Sequence, residues 1–141
     1  MKWVDDEDYK KYIKCIGVRD YDAAAQHMKK VLGRAMRSGA DPEEIGALIY
    51  DIGRVKQFGG KVLSAKQYFA RADRVSGEAA LVRLLIAKFY LEFTATPSLG
   101  VKWLRKCLEA GHNFQGRFDK RWKNEAQILL DKAVARQGVD G

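Results

Sequence analysis

Apolar residues recur along this chain every three or four positions, segment after segment, the period of helices that each bury one face. Tyr9, Tyr12, Ile13 and Ile16 mark a first helix over residues 5–18. Asp5 to Asp8 fall in its first turn, where carboxylates suit the positive end of the helix dipole, and DDED reads as a solvated helix start. Ala24, Met28, Val31, Leu32 and Ala35 form the stripe of a second helix, capped by Asp20 or Asp22 and ended by Ser38–Gly39. Asp41-Pro42-Glu43-Glu44 combines a cap, a proline at the first helical position and a capping-box glutamate. It opens a third helix with Ile45, Leu48, Ile49, Ile52 and Val55 inward. Gly59–Gly60 breaks the chain, and a fourth helix, about 61–75, carries Val62, Ala65, Phe69 and Ala72 on one face before Gly77 stops it. From Glu78 to about Phe93 a fifth helix is apolar around most of its circumference, with Leu81, Leu84, Leu85, Phe89 and Leu91, which predicts a buried position.

Thr96–Pro97 repeats the cap-then-proline signal and starts a helix with Val101, Trp103, Leu104, Cys107 and Leu108, closed by Gly111–His112. After a loop containing Asn113 to Gly116, a last helix places Phe118, Trp122, Ala126, Leu129, Leu130 and Ala133 on one face. Lys120, Lys123, Asp131, Lys132 and Arg136 occupy the other. The pattern predicts an all-α protein of about six or seven helices.

A chain of 141 residues without a linker, low-complexity tract or dividing charge block suits one domain, 1–141. The apolar run from Leu81 to Leu91 is interrupted by Arg83 and Lys88 and is too short to span a membrane. The acidic start MKWVDDEDYK is not that of a signal peptide, so the expected location is cytoplasmic and no membrane partner is expected. Cys15 and Cys107 lie in apolar helical patterns and behave as small hydrophobes, with no disulfide framework. The net charge of +8 is spread: residues 1–80 hold fifteen Lys/Arg against twelve Asp/Glu, and residues 81–141 hold eleven against six. The mild C-terminal excess raises nucleic acid as an alternative partner.

Self-similarity sharpens the picture. Ile49, Ile52, Gly53, Ala65, Phe69 and Ala72 stand at the spacing of a tetratricopeptide hairpin, and the segment resembles that family. About 34 residues later, the period of that family, Ala87 replaces Gly53 and Tyr90 follows; then come Gly100, Trp103, Leu104 and Cys107. GVKWLRKCLEAGH is more similar to the related Sel1-like repeats. Gly77 stands where the family has a proline, and Lys56 where it often has a tyrosine. The resemblance implies antiparallel hairpins stacked as a short right-handed α-solenoid, with residues 118–137 as a capping helix. A plain helical bundle is the alternative. Gly53 and Ala65 are then the points of close approach, with Phe69 plugging the gap. The resemblance further implies a concave groove lined by Tyr50, Arg54 and Gln57, with Leu84 and Lys88 from the next unit, where an arginine and a lysine can clamp carboxylates.

Catalysis needs a nucleophile with a base, paired carboxylates or a metal. His27 and His112 belong to no motif, Cys15, His27, Cys107 and His112 lack the spacing of zinc ligands, and no phosphate-binding glycine loop is present. No catalytic residue, metal or cofactor is therefore expected, and the chain reads as no enzyme. The expected function is a protein or peptide interaction module, an adaptor, scaffold or chaperone-like protein. The alternatives are nucleic-acid binding through Lys102, Arg105, Lys106, Arg117, Lys120, Arg121 and Lys123, or a toxin-immunity or inhibitor partner. Trp103 and Trp122 are expected in the core.

Overall fold

The computed structural model describes residues 3–109 and 119–137, and every regular element among them is an α-helix. These are α1 (Glu7–Gly17), α2 (Tyr21–Arg37), α3 (Pro42–Phe58), α4 (Val62–Val75), α5 (Ala80–Phe93), α6 (Pro97–Leu108) and α7 (Asp119–Gln137). Their contacts form two compact units that divide after Val75, α1–α4 in one and α5–α7 in the other. Gly111–His112, the Asn113–Gly116 loop, Arg117 and Phe118 lie outside the described residues. None of the described helices is long and apolar enough to cross a membrane.

In the first unit the helix starts follow local chemistry. Asp6 caps α1 through bonds from the Asp8 and Tyr9 amides, Asp20 caps α2 through Ala23, and Asp41 caps α3 through Glu44. The capping box is only half formed, because the Glu44 carboxylate accepts from Trp3 Nε1 at 2.9 Å. The chain turns from α3 into α4 with Gly60 at φ 81, a left-handed conformation that a side chain would strain. Consecutive helices pack on one another, α1 on α2, α2 on α3 and α3 on α4. All five predicted inward residues of α3 are buried, as are Ala65, Phe69 and Ala72 of α4. Val62 is not: it is 46% exposed, at the first turn of α4.

The close approach between α3 and α4 falls at Gly53. A Cβ there would lie 2.7 Å from Phe69 Cε1 and 3.1 Å from Tyr68 Cβ.

DDED is more than a solvated start. Arg34 of α2 bonds both Asp6 oxygens, at 2.9 and 2.7 Å, and Asp8 at 2.6 Å, while His27 Nδ1 lies 2.9 Å from Asp8. The His27 hydrogen bond, then that of Arg34, holds the Asp8 carboxyl down at about 2, and Asp6 is lowered chiefly by Arg34. A carboxyl depressed in the folded state stabilises above its unfolded pKa, and that stability disappears as pH falls through the folded value. Thermal stability should therefore drop between about pH 4 and pH 2. Asp8→Asn should melt lower than wild type at neutral pH, with the gap closing by pH 2. A constant gap across that window in a pH series of melts would remove the assignment.

In the second unit α5 packs on α6 and α7, and α6 on α7. Ala80, Leu84, Ala87, Val101, Leu104, Cys107, Ala126, Leu130 and Ala133 form its core, with Trp103, Trp122 and Leu129 half-buried against it. The expected start of α5 at Glu78 moves to Ala80, since Gly77 and Glu78 both adopt positive φ, 71 and 61. Arg83 is buried on α5, and its Nη1 donates to the Lys106 carbonyl at 2.7 Å. Gly100 repeats the role of Gly53: a Cβ there would lie 2.6 Å from Leu91 Cγ and 3.1 Å from the Ala87 carbonyl. Thr96 does not cap α6 with its hydroxyl, which sits 3.0 Å from that of Thr94.

Candidate functional site

The sequence places Tyr50, Arg54 and Gln57 on one face of α3, and the structure shows how that face is used. Tyr50 is only 8% exposed; its ring packs 5.8 Å from that of Phe69, so it belongs to the core of the unit and not to an open contact surface. Arg54 lies over the Tyr50 ring and donates from Nη2 to the Tyr12 hydroxyl at 2.8 Å. The same nitrogen is 3.4 Å from Asp51. Burial pushes the Asp51 carboxyl up to about 6 against the opposing pull of Arg54, and pushes the Tyr12 hydroxyl up as well. Arg54 Nε and Gln57 Oε1 are buried with no hydrogen-bond partner among the described residues. Arg54 is thus a bridge between α3 and α1. Asp51 and Tyr12 escaped the sequence reading, because an aspartate on a helix and a tyrosine in an apolar stripe look ordinary until the fold brings the Tyr12 hydroxyl to Arg54.

In the second unit Leu84 is 2% exposed inside the core, so its side chain is not presented to a partner. Lys88 pairs with Glu125 of α7 at 3.0 Å. Of the basic residues, Lys102, Lys120 and Arg121 are exposed, and Arg105, Lys106 and Lys123 are half-buried. Lys106 Nζ lies 4.4 Å from the centre of the Trp103 ring and Arg121 packs over Trp122 at 5.1 Å, so two of these cations cover half-buried tryptophans. Among the described residues, no group of three or more His, Cys, Asp or Glu could hold a metal ion. Cys107 is buried, its Sγ 3.3 Å from the Ala80 carbonyl.

The surface that sequence reading missed is the outer face of α4. Ser64, Gln67, Tyr68 and Arg71 follow one another at spacings of three, one and three residues, which keeps them on one side of the helix. They line a shallow cavity of about 270 Å³. Leu63, one residue before it, is 71% exposed. Arg71 and Arg74 are exposed, and neither makes an ion pair among the described residues. The only acid of α4, Asp73, is two positions from Arg71 and so on the far side of the helix. The signal available in the sequence was Leu63 itself, a large apolar residue outside the inward stripe. No family model, curated protein or solved structure matches this chain.

Proposed function

We propose that the chain is a non-catalytic protein-interaction module whose helical hairpins stack in the tetratricopeptide or Sel1-like manner, and that it receives its partner on the outer face of α4. The observation that carries this reading is a shallow cavity lined by Ser64, Gln67, Tyr68 and Arg71, with an exposed leucine one residue before it on the helix and, among the described residues, no ion pair at Arg71 or the neighbouring Arg74. Large apolar side chains beside convergent polar donors are what a protein-binding surface offers. The α3 face supports the surface from behind: Tyr50 packs on Phe69, and Gly53 lets α4 lie close.

A photo-crosslinker introduced at Gln67 is expected to trap a discrete protein from native cell extract. The same group at Lys29, an exposed position of α2, should trap only background. Equal patterns at both positions would take the α4 face out of the function.

A further inference from the structure

We infer that the partner segment received by α4 is acidic, with one apolar anchor; this rests on the protein-interaction reading and names the chemistry of its ligand. Every polar group facing the cavity can donate. Ser64 and Tyr68 offer hydroxyls, Gln67 an amide and Arg71 a guanidinium, with Arg74 one turn further on. No carboxylate belongs to that lining. A surface of donors with uncompensated positive charge is matched by an acceptor-only, negative group, and a guanidinium binds a carboxylate through two parallel hydrogen bonds. The exposed Leu63 selects among polyanions. Beside the cavity it offers an apolar contact that a side chain of a peptide can match and a sugar-phosphate backbone cannot.

The spacing sets the register. At a rise of about 1.5 Å per residue, Arg71 stands about 12 Å and Arg74 about 16 Å along the axis from Leu63. An extended peptide covers that distance in about four or five residues. The segment that fits therefore carries an apolar residue followed, about four or five positions later, by Asp or Glu.

The test uses the whole chain, isotope-labelled, and two synthetic peptides. One has a leucine, a glycine-serine spacer and a terminal pair of glutamates; in the other, glutamines replace the glutamates. The glutamate peptide is expected to move the backbone amide signals of residues 63–74 at millimolar concentration. The glutamine peptide should bind about tenfold more weakly, the loss expected for a charge-assisted hydrogen bond. The double variant Arg71→Gln with Arg74→Gln should bind both peptides equally while melting as wild type does, because neither arginine holds the fold together. Equal binding of the two peptides to wild type, shifts confined to Lys102, Lys120 and Arg121, or displacement by a single-stranded RNA would each overturn the inference. A partner cross-linked at Gln67 through a neutral segment would overturn it as well, yet leave the interaction module standing. No shift on α4 with either peptide together with no capture at Gln67 would remove both.

Discussion

Phe69→Ala is expected to lower the stability of the chain by about 3–5 kcal/mol, the range for truncating a buried aromatic ring. The ring is 1% exposed, it packs against Tyr50, and it covers the bare backbone of Gly53. Ala65 and Ala72, one turn before and after the ring on the same helix, are themselves fully buried. Residues this small cannot reach into the space the ring leaves, so the cavity stays open and the cost sits in the upper part of the range. Native domains are stable by about 5–15 kcal/mol, so the variant approaches the limit of folding. Denaturant unfolding reads the effect directly, provided the dependence on denaturant is unchanged. A loss below about 2 kcal/mol would show that the ring is not the plug between α3 and α4.

Gly53→Ala should change sign with its neighbour. On an exposed helix this substitution stabilises by about 1 kcal/mol. Here the new Cβ meets Phe69 Cδ1 at 2.8 Å and Cε1 at 2.7 Å, and Tyr68 Cβ at 3.1 Å. The ring is enclosed and Tyr68 Cβ is tied to the backbone, so α3 and α4 must separate, and overpacking of this kind costs about 1–3 kcal/mol. The single variant is therefore less stable than wild type. In the Phe69→Ala background both ring contacts are gone; only Tyr68 Cβ, at 3.1 Å, must give by a few tenths of an ångström, which the space left by the ring allows, so the same methyl should stabilise through helix propensity and by filling part of the cavity. A double-mutant cycle measures this coupling, expected at about 1–3 kcal/mol. Additive effects would mean that Gly53 and Phe69 do not share one space.

Much of the fold was legible because it is local. The Asp20 and Asp41 caps, the proline at the start of α3 and the glycine after α4 act within one helical turn, and each stands where the residues indicate, whereas Asp6, expected inside the first turn of α1, is its cap. The failures have a common cause. Glu44 could have bonded back to its own cap but meets Trp3, a residue 41 positions away. Glu78 looked like a helix start, yet the chain after Gly77 is still turning, and the helix begins where the backbone has recovered. Asp6 and Asp8 fit a solvated first turn by composition, and it is α2 lying alongside that brings Arg34 and His27 to them.

The site was less legible. The period that put Tyr50, Arg54 and Gln57 on one face of α3 was sound, but facing one way does not decide whether a residue faces water. Arg54 reaches the Tyr12 hydroxyl across 42 residues of sequence, and Tyr50 lies against a ring from α4. Arg71 and Arg74 belong to a polar helix face like any other in sequence, and only the structure shows that, among the described residues, neither is in an ion pair.

By itself, then, the sequence determined that the chain is helical, nearly where each described helix begins and ends, and which small residue lets α3 and α4 approach. Capping, periodicity and the missing side chain of Gly53 operate within a turn or between neighbouring helices. Only the tertiary structure decided which polar side chains are consumed by the fold and which remain exposed. That choice depends on the pairing of groups far apart in sequence, and a charge is available for recognition only where folding brings it no counterion.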